Sequence, residues 1–133
     1  MAIQEKNSET LKKVVTCNGL RTEETTKRYI EFLESNTKKN CIFCDRELFV
    51  KEFEHWVILE NRFPYDKIAQ THHMLAPKRH IAFEADLTLE ERDEMIHIKQ
   101  NELASYGFVL ESVPRCSSIP DHFHTHLLKY HNK

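Results

Sequence analysis

The chain has 133 residues, 40% hydrophobic and 30% charged, which suits a single domain built on one core. Its formal charge is -2 with histidines neutral, so no global basic field points to nucleic acid, and no apolar run approaches the ~20 residues of a membrane helix. The polar start from Met1 to Lys6 offers no signal-peptide core, so a cytoplasmic chain is expected. Its cysteines, Cys17, Cys41, Cys44 and Cys116, then read as thiols or metal ligands and not as a disulfide framework.

Residues 1–36 read as an N-terminal helical extension and residues 37–133 as the body. Leu11, Val14 and Val15 have helical spacing, and Asn18-Gly19 marks a turn. Thr22 is placed to cap a second helix, with Glu23 and Glu24 at the positive end of its dipole. Thr26, Tyr29, Ile30 and Leu33 fall on one buried face of that helix. The extension is expected to pack on the body and to carry no chemistry.

Cys41-Ile42-Phe43-Cys44 opens the body with a CxxC. Strand-like runs follow at about Leu48 to Phe53 and Trp56 to Glu60, rich in β-branched and aromatic residues. Asn61 to Asp66 contains Pro64 and reads as a loop. Thr71 to Ala76 is a short strand that Pro77 ends. Thr88 to Tyr106 is the clearest helix: Thr88 and Glu91 form a capping box, and Leu89, Ile96 and Leu103 recur on one face. Gly107 closes it, and Phe108 to Leu110 is a strand. Pro114 to Asp121 is a loop leading into His122-Phe123-His124-Thr125-His126-Leu127-Leu128. About five strands in hairpin-like succession and one central helix predict an antiparallel α+β sheet with the helix on one face.

Histidines at every second position of a strand project from one side, with neighbours about 6.6 Å apart. Such a row can bind a metal, bind phosphate, or attack phosphorus. In the last case one ring nitrogen attacks while the other donates a hydrogen bond that fixes the tautomer. An HxH on a strand also suits a catalytic metal acting on water. The CxxC is either a redox pair or half of a zinc site; zinc would need two further ligands from the chain's histidines.

The His122 to Leu128 run resembles the HxHxHxx signature of the histidine triad (HIT) superfamily, whose members hydrolyse or transfer nucleotides at the α-phosphate. Thr71 to His80 is similar to that family's upstream strand, Leu59 to Tyr65 to its ribose-binding segment, and Cys41 to Cys44 to the zinc CxxC of many members. The ordered motifs cover about residues 41 to 128 and imply a HIT-like fold for residues 37–133. The resemblance implies His124 as the nucleophile, His126 at the phosphate or leaving group, and His72 across the site. It implies Asn61 on the ribose, and Ser117 and Ser118 as phosphate donors. It implies a structural zinc held by Cys41, Cys44, His80 and His122. The expected substrate is a purine nucleotide derivative, either a dinucleoside polyphosphate or a nucleoside phosphoramidate; the alternative is a zinc-stabilised nucleotide-binding module without catalysis. A homodimer is also implied, and neither nucleic acid nor membrane is an expected partner. The loop before the triad departs from the family pattern in carrying no glycine, so side chains such as Ser118 or Arg115 would replace backbone contacts to phosphate. His55, His97 and His131 read as structural or exposed, His73 as facing away from His72, Lys78-Arg79 as a solvated pair, and Cys17 and Cys116 as plain thiols.

Overall fold

The structure, a computed structural model, describes residues 11, 12, 14, 17, 19–35, 41–117 and 119–131. Val15, Asn18 and Ser118, named above, lie outside the described residues. Helix α1 spans Glu23–Ser35 and helix α2 Leu89–Asn101. The strands are β1 (Phe49–Glu52), β2 (Trp56–Glu60), β3 (Ala69–Pro77), β4 (Phe108–Leu110) and β5 (Thr125–Tyr130). They form one antiparallel sheet in the order β1-β2-β3-β5-β4, the α+β architecture expected from the hairpin-like succession. Among the described residues, no helix is long and apolar enough to cross a membrane.

Register decides what each face of the sheet carries. Met74 of β3 pairs with Leu59 of β2 and with His126 of β5, whereas Leu75 pairs with Ile58 and Thr125. Paired residues share a face, and the next residue along each strand points the other way. One face therefore buries Trp56, Ile58, Leu75 and Leu127 against Met95 and Ile98 of α2. The other buries Val57, Leu59, Met74 and Ala76 against Phe43 and Leu48, from the turns after the CxxC. β3 lies at the centre of the sheet, which is why it is buried on both faces from Met74 to Pro77.

Helix α2 begins as expected, with the Thr88–Glu91 capping box closed in both directions. Its buried face differs from the expected one. Leu89 and Ile96 are 69% and 46% exposed, while Glu91, Met95 and Ile98 face the sheet. The reason is polar: Arg79 donates to the Glu91 carboxylate at 2.9 and 3.2 Å, and Trp56 Nε1 donates to the Glu91 carbonyl at 2.7 Å. A carboxylate satisfied in this way sits at an interior position that an apolar stripe alone would not assign to it. The helix also ends at Asn101, earlier than expected. The chain then turns so that the Gly107 amide donates to Leu128 O at 2.8 Å and starts the β4 edge.

The N-terminal turn and α1 lie against the Asn61–Asp66 loop. Thr22 caps α1 through its hydroxyl, which accepts from the Thr25 amide at 3.3 Å. Tyr29 stacks on Phe63 with ring centroids 4.6 Å apart. Cys17 and Cys116, expected as plain thiols, are joined as a disulfide across 99 residues. The fold brings their Cα atoms to 5.7 Å, within bonding reach, and sequence spacing carries no sign of that approach.

Candidate functional site

The imidazole run departs from the expected strand in one respect. β5 begins only at Thr125, so His122 and His124 precede it in an extended lead-in anchored by the Phe123 amide donating to Ile81 O at 2.6 Å. The alternation survives this. Phe123 packs with Trp56 and Leu127 on the α2 face, while His122 and His124 lie on the opposite face, with Phe43 at 5.0 and 4.7 Å from their rings. His126 lies next, 5.0 Å from the His124 ring.

Backbone partners fix each ring's tautomer, because a carbonyl only accepts and an amide only donates. His122 Nε2 donates to Pro77 O at 2.7 Å, which leaves Nδ1 as a bare lone pair. His124 Nδ1 donates to His122 O at 2.9 Å, which leaves Nε2 bare. On β3, the Tyr65 amide donates to His72 Nδ1 at 2.9 Å. His72 Nε2 must then carry the proton, and it donates to His126 Nδ1 at 2.8 Å. His126 in turn carries its own proton on Nε2. The run thus presents a bare nitrogen on His124 beside an N–H on His126.

These rings are neutral near pH ~7. Burial holds His72 down to about 3, with the Arg21 charge adding to the effect. Burial likewise holds His124 down to about 4, against the hydrogen bond to the His122 carbonyl. Burial, then His124, His72 and Arg21, put His126 well below the usual imidazole range. A neutral ring is the form that has a lone pair to offer.

At the other end of the run, Cys41, Cys44, His80 and His122 bring their ligand atoms within 4.8 Å of one another. His122 Nδ1 stands 3.1 Å from His80 Nδ1 and 3.4 Å from Cys41 Sγ. Tetrahedral coordination with bonds of about 2.0–2.3 Å sets ligand edges at roughly 3.3–3.8 Å, so the closest pairs already approximate such a site. The donor set, two thiols and two imidazoles, is one that soft or borderline cations prefer. Burial pushes the Cys41 thiol up to about 11, so ligation there needs the cation itself to displace the proton. These four residues can hold a metal ion. Phe43, inside the CxxC turn, joins this end to the His124 end by contacting both His122 and His124.

The other residues of the expected site fall around these groups. Asn61 is half-buried; its side-chain oxygen accepts from the Phe63 amide at 2.8 Å and its amide nitrogen faces Met74 Sδ at 3.7 Å. That nitrogen is also 3.3 Å from His72 Nε2. Both atoms are donors, so this is packing and not a hydrogen bond, and the amide keeps a proton for a ligand. Ser117 follows the Pro114–Cys116 turn, half-buried, and Ile119 brings that loop onto the Phe43 cluster. His73 faces away, with Nδ1 at 2.6 Å from the Tyr106 hydroxyl. Arg79 and Lys78 are both partly solvated, and each is ion-paired, Arg79 with Glu91 and Lys78 with Glu52. The expected set left out Tyr65, whose amide sets the His72 tautomer, and Phe43. Tyr65 lies in the Leu59 to Tyr65 segment and Phe43 in the CxxC, yet their roles depend on backbone geometry that residue type does not reveal.

Neither a protein-family model nor a curated protein matches the sequence. Among solved structures, the chain is similar to a hypothetical histidine triad nucleotide-binding protein from Sulfolobus tokodaii, with 18% identity, 70% of this chain and 71% of that one covered, and a TM-score of 0.53. It is similar to a hypothetical protein from Leishmania major, with 16% identity, 71% and 75% covered, and a TM-score of 0.54. It is also similar to a HIT family hydrolase from Legionella pneumophila, with 22% identity, 70% and 95% covered, and a TM-score of 0.50. With its sheet order and its alternating imidazoles on the face opposite α2, the chain has the histidine triad fold.

Proposed function

We propose that the chain is a histidine triad nucleotide hydrolase or nucleotidyl transferase acting at the α-phosphate of a purine nucleotide derivative. Residues 37–133 form the catalytic domain in this reading. Similarity to proteins named as nucleotide-binding and as a hydrolase supports the class. The observation that carries the reading is the His124 ring: Nδ1 is committed to the His122 carbonyl, so Nε2 is the nucleophilic atom. His124 Nε2 attacks the α-phosphorus, and the bond from phosphorus to the leaving group breaks. His126 Nε2–H donates a hydrogen bond to the departing oxygen or nitrogen and keeps its proton, and the leaving group takes its proton from solvent. Water then attacks the phosphorus and loses a proton to solvent, and the phosphorus–His124 bond breaks to release the nucleoside monophosphate.

His72 holds His126 in the donating tautomer throughout. Asn61 binds the ribose, and Ser117 and Ser118 donate to phosphate oxygens. Cys41, Cys44, His80 and His122 hold zinc, which when bound supplies a structural anchor two residues from the nucleophile. The reading places the protein in the cytoplasm; the Cys17–Cys116 disulfide is the observation that stands against that placement.

The test is to incubate the protein with adenosine 5′-phosphoramidate and with a diadenosine polyphosphate, quench it, and map any adduct by mass spectrometry. A nucleotidyl adduct on His124 is expected, and His124→Asn should lose at least about a thousandfold in turnover while staying folded. Retained turnover in a folded His124 variant would overturn the mechanism. Tight binding with no adduct and no turnover would support the non-catalytic module.

A further inference from the structure

We propose that Arg21, which lies outside the sheet and before α1, is a positioning residue that holds the His72–His126 pair in its working arrangement. It does so through Tyr65. The Arg21 guanidinium lies between two aromatic rings, 4.7 Å from the Tyr29 centroid and 4.8 Å from that of Tyr65, while Nε donates to Phe63 O at 2.7 Å. Among the described residues, no carboxylate is within ion-pair distance of it. The nearby Asp66 carboxylate instead accepts from the Thr22 amide at 2.9 Å and from the hydroxyls of Thr22 and Thr25. The Lys67 amide donates to Leu20 O at 3.0 Å. Residues 20–25 therefore grip Phe63 to Lys67 at several points, and Tyr65 is at the middle of that grip.

Tyr65 is also what defines His72. Its amide is the donor that puts the His72 proton on Nε2, and its ring lies 4.4 Å from His72 and 5.0 Å from His126. A shift of the 63–66 segment by an ångström would break the 2.9 Å amide contact and free the His72 ring to change tautomer. His126 would then lose the donor that fixes its own proton on Nε2. A guanidinium suits this clamp because it is planar and can stack on both rings while donating in its own plane; an ammonium cannot do all three. The extension thereby reaches the imidazole pair through the loop.

Nitrogen-15 spectra of the histidine rings in the full chain test this without reference to activity. In the wild type, His72 and His126 should each show a single tautomer protonated on Nε2. Arg21→Met should average both, and Arg21→Lys should restore them in part. Leu33→Ala, which loosens the packing of α1 around Phe63 and leaves the Arg21 side chain in place, should leave both as in the wild type. Where turnover is measured on a nucleoside phosphoramidate, Arg21→Met should lower kcat about ten- to a hundredfold with KM within about twofold. That arm rests on the proposed function; the spectra do not. Wild-type tautomers in Arg21→Met would overturn the inference, and so would equal averaging in Leu33→Ala. If Arg21→Met fails to fold, unaltered tautomers in Arg21→Lys together with unaltered tautomers in Tyr29→Leu would overturn it. Averaging in Arg21→Met in a chain without turnover would keep the positioning role and sink only the proposed reaction.

Discussion

The two faces of the sheet are built by different rules. β5 sends Leu127 to one and His126 to the other, so the same strand contributes to both. The α2 face is mostly apolar; its polar members among the described residues include Glu91, the His73–Tyr106 pair and the unpaired Thr125 hydroxyl, and many side chains share its packing. The imidazole face buries His72, His122 and His126, and each ring there depends on one or two named partners. Redundant packing tolerates the loss of one contact with a graded cost, whereas a ring held by one backbone group loses its tautomer outright. Changes on the α2 face should therefore shift stability and spare the chemistry. Changes on the imidazole face should do the reverse, except where the metal end is struck.

The metal end is where the contrast should be largest. Cys41→Ser, or exhaustive chelation, should remove bound metal as read by elemental mass spectrometry. It should cost on the order of 5 kcal/mol in a urea melt, part of the ~10–16 kcal/mol that zinc supplies where it alone folds a peptide. A chain that holds no metal and melts identically with and without chelator would erase the distinction between the two ends of the run. Next in size is Ile98→Ala on the other face. Ile98 is fully buried between α2 and β2, so its truncation should cost about 3 kcal/mol in the same melt, while KM and kcat stay near wild type. A comparable loss of kcat in that variant would show that the faces are coupled.

Much of the imidazole face was legible in the sequence, because alternation by two survives small errors in where a strand begins. His122 and His124 lie ahead of β5, and their rings still share a side with His126. The CxxC was legible from its spacing as half of a possible metal site, but His80 and His122 were singled out as its companions only through resemblance. Their ligand atoms come from positions as far apart as Cys41 and His122, and spacing alone does not choose among the chain's nine histidines. Arg21 carried no signal, since what it touches is set by a loop some forty residues later and by the planarity of its own group. The Cys17–Cys116 bond was illegible for the same reason: pairing is a property of the folded distance. On α2, the expected stripe failed because Glu91 counts as polar by type, yet Arg79 and the capping box make it interior.

That buried charge gives a pH test confined to the α2 face. Hydrogen bonding to Arg79 holds the Glu91 carboxyl down to about 2, below its ordinary 4.5. The pair's contribution is therefore fully present above pH about 4.5 and is lost as pH falls toward 2. Because Arg79 is half-exposed, solvent screening weakens that contribution. Glu91→Gln should lower stability modestly in neutral buffer and flatten its acid dependence. An acid slope equal to wild type in that variant would assign the slope to other carboxylates.

The smallest expected effect bears most directly on which side of α2 is inside. Ile96 and Leu89 are large apolar residues on its solvent side, 46% and 69% exposed, with Ile98 and Met95 turned inward. An apolar stripe through Leu89, Ile96 and Leu103 would make Ile96→Lys a buried charge costing several kcal/mol, on the order of 3 or more. On the observed face the lysine stem lies along the helix surface and its ammonium stays in water, so the change should fall within about 0.5 kcal/mol in the urea melt. Lysine also has the higher helix propensity, which favours the small value further. A large destabilisation by Ile96→Lys would mean that this side of α2 is covered after all, by a second copy of the chain or by residues outside those described. A protein concentration series of the same melt separates these cases, because only the first depends on concentration.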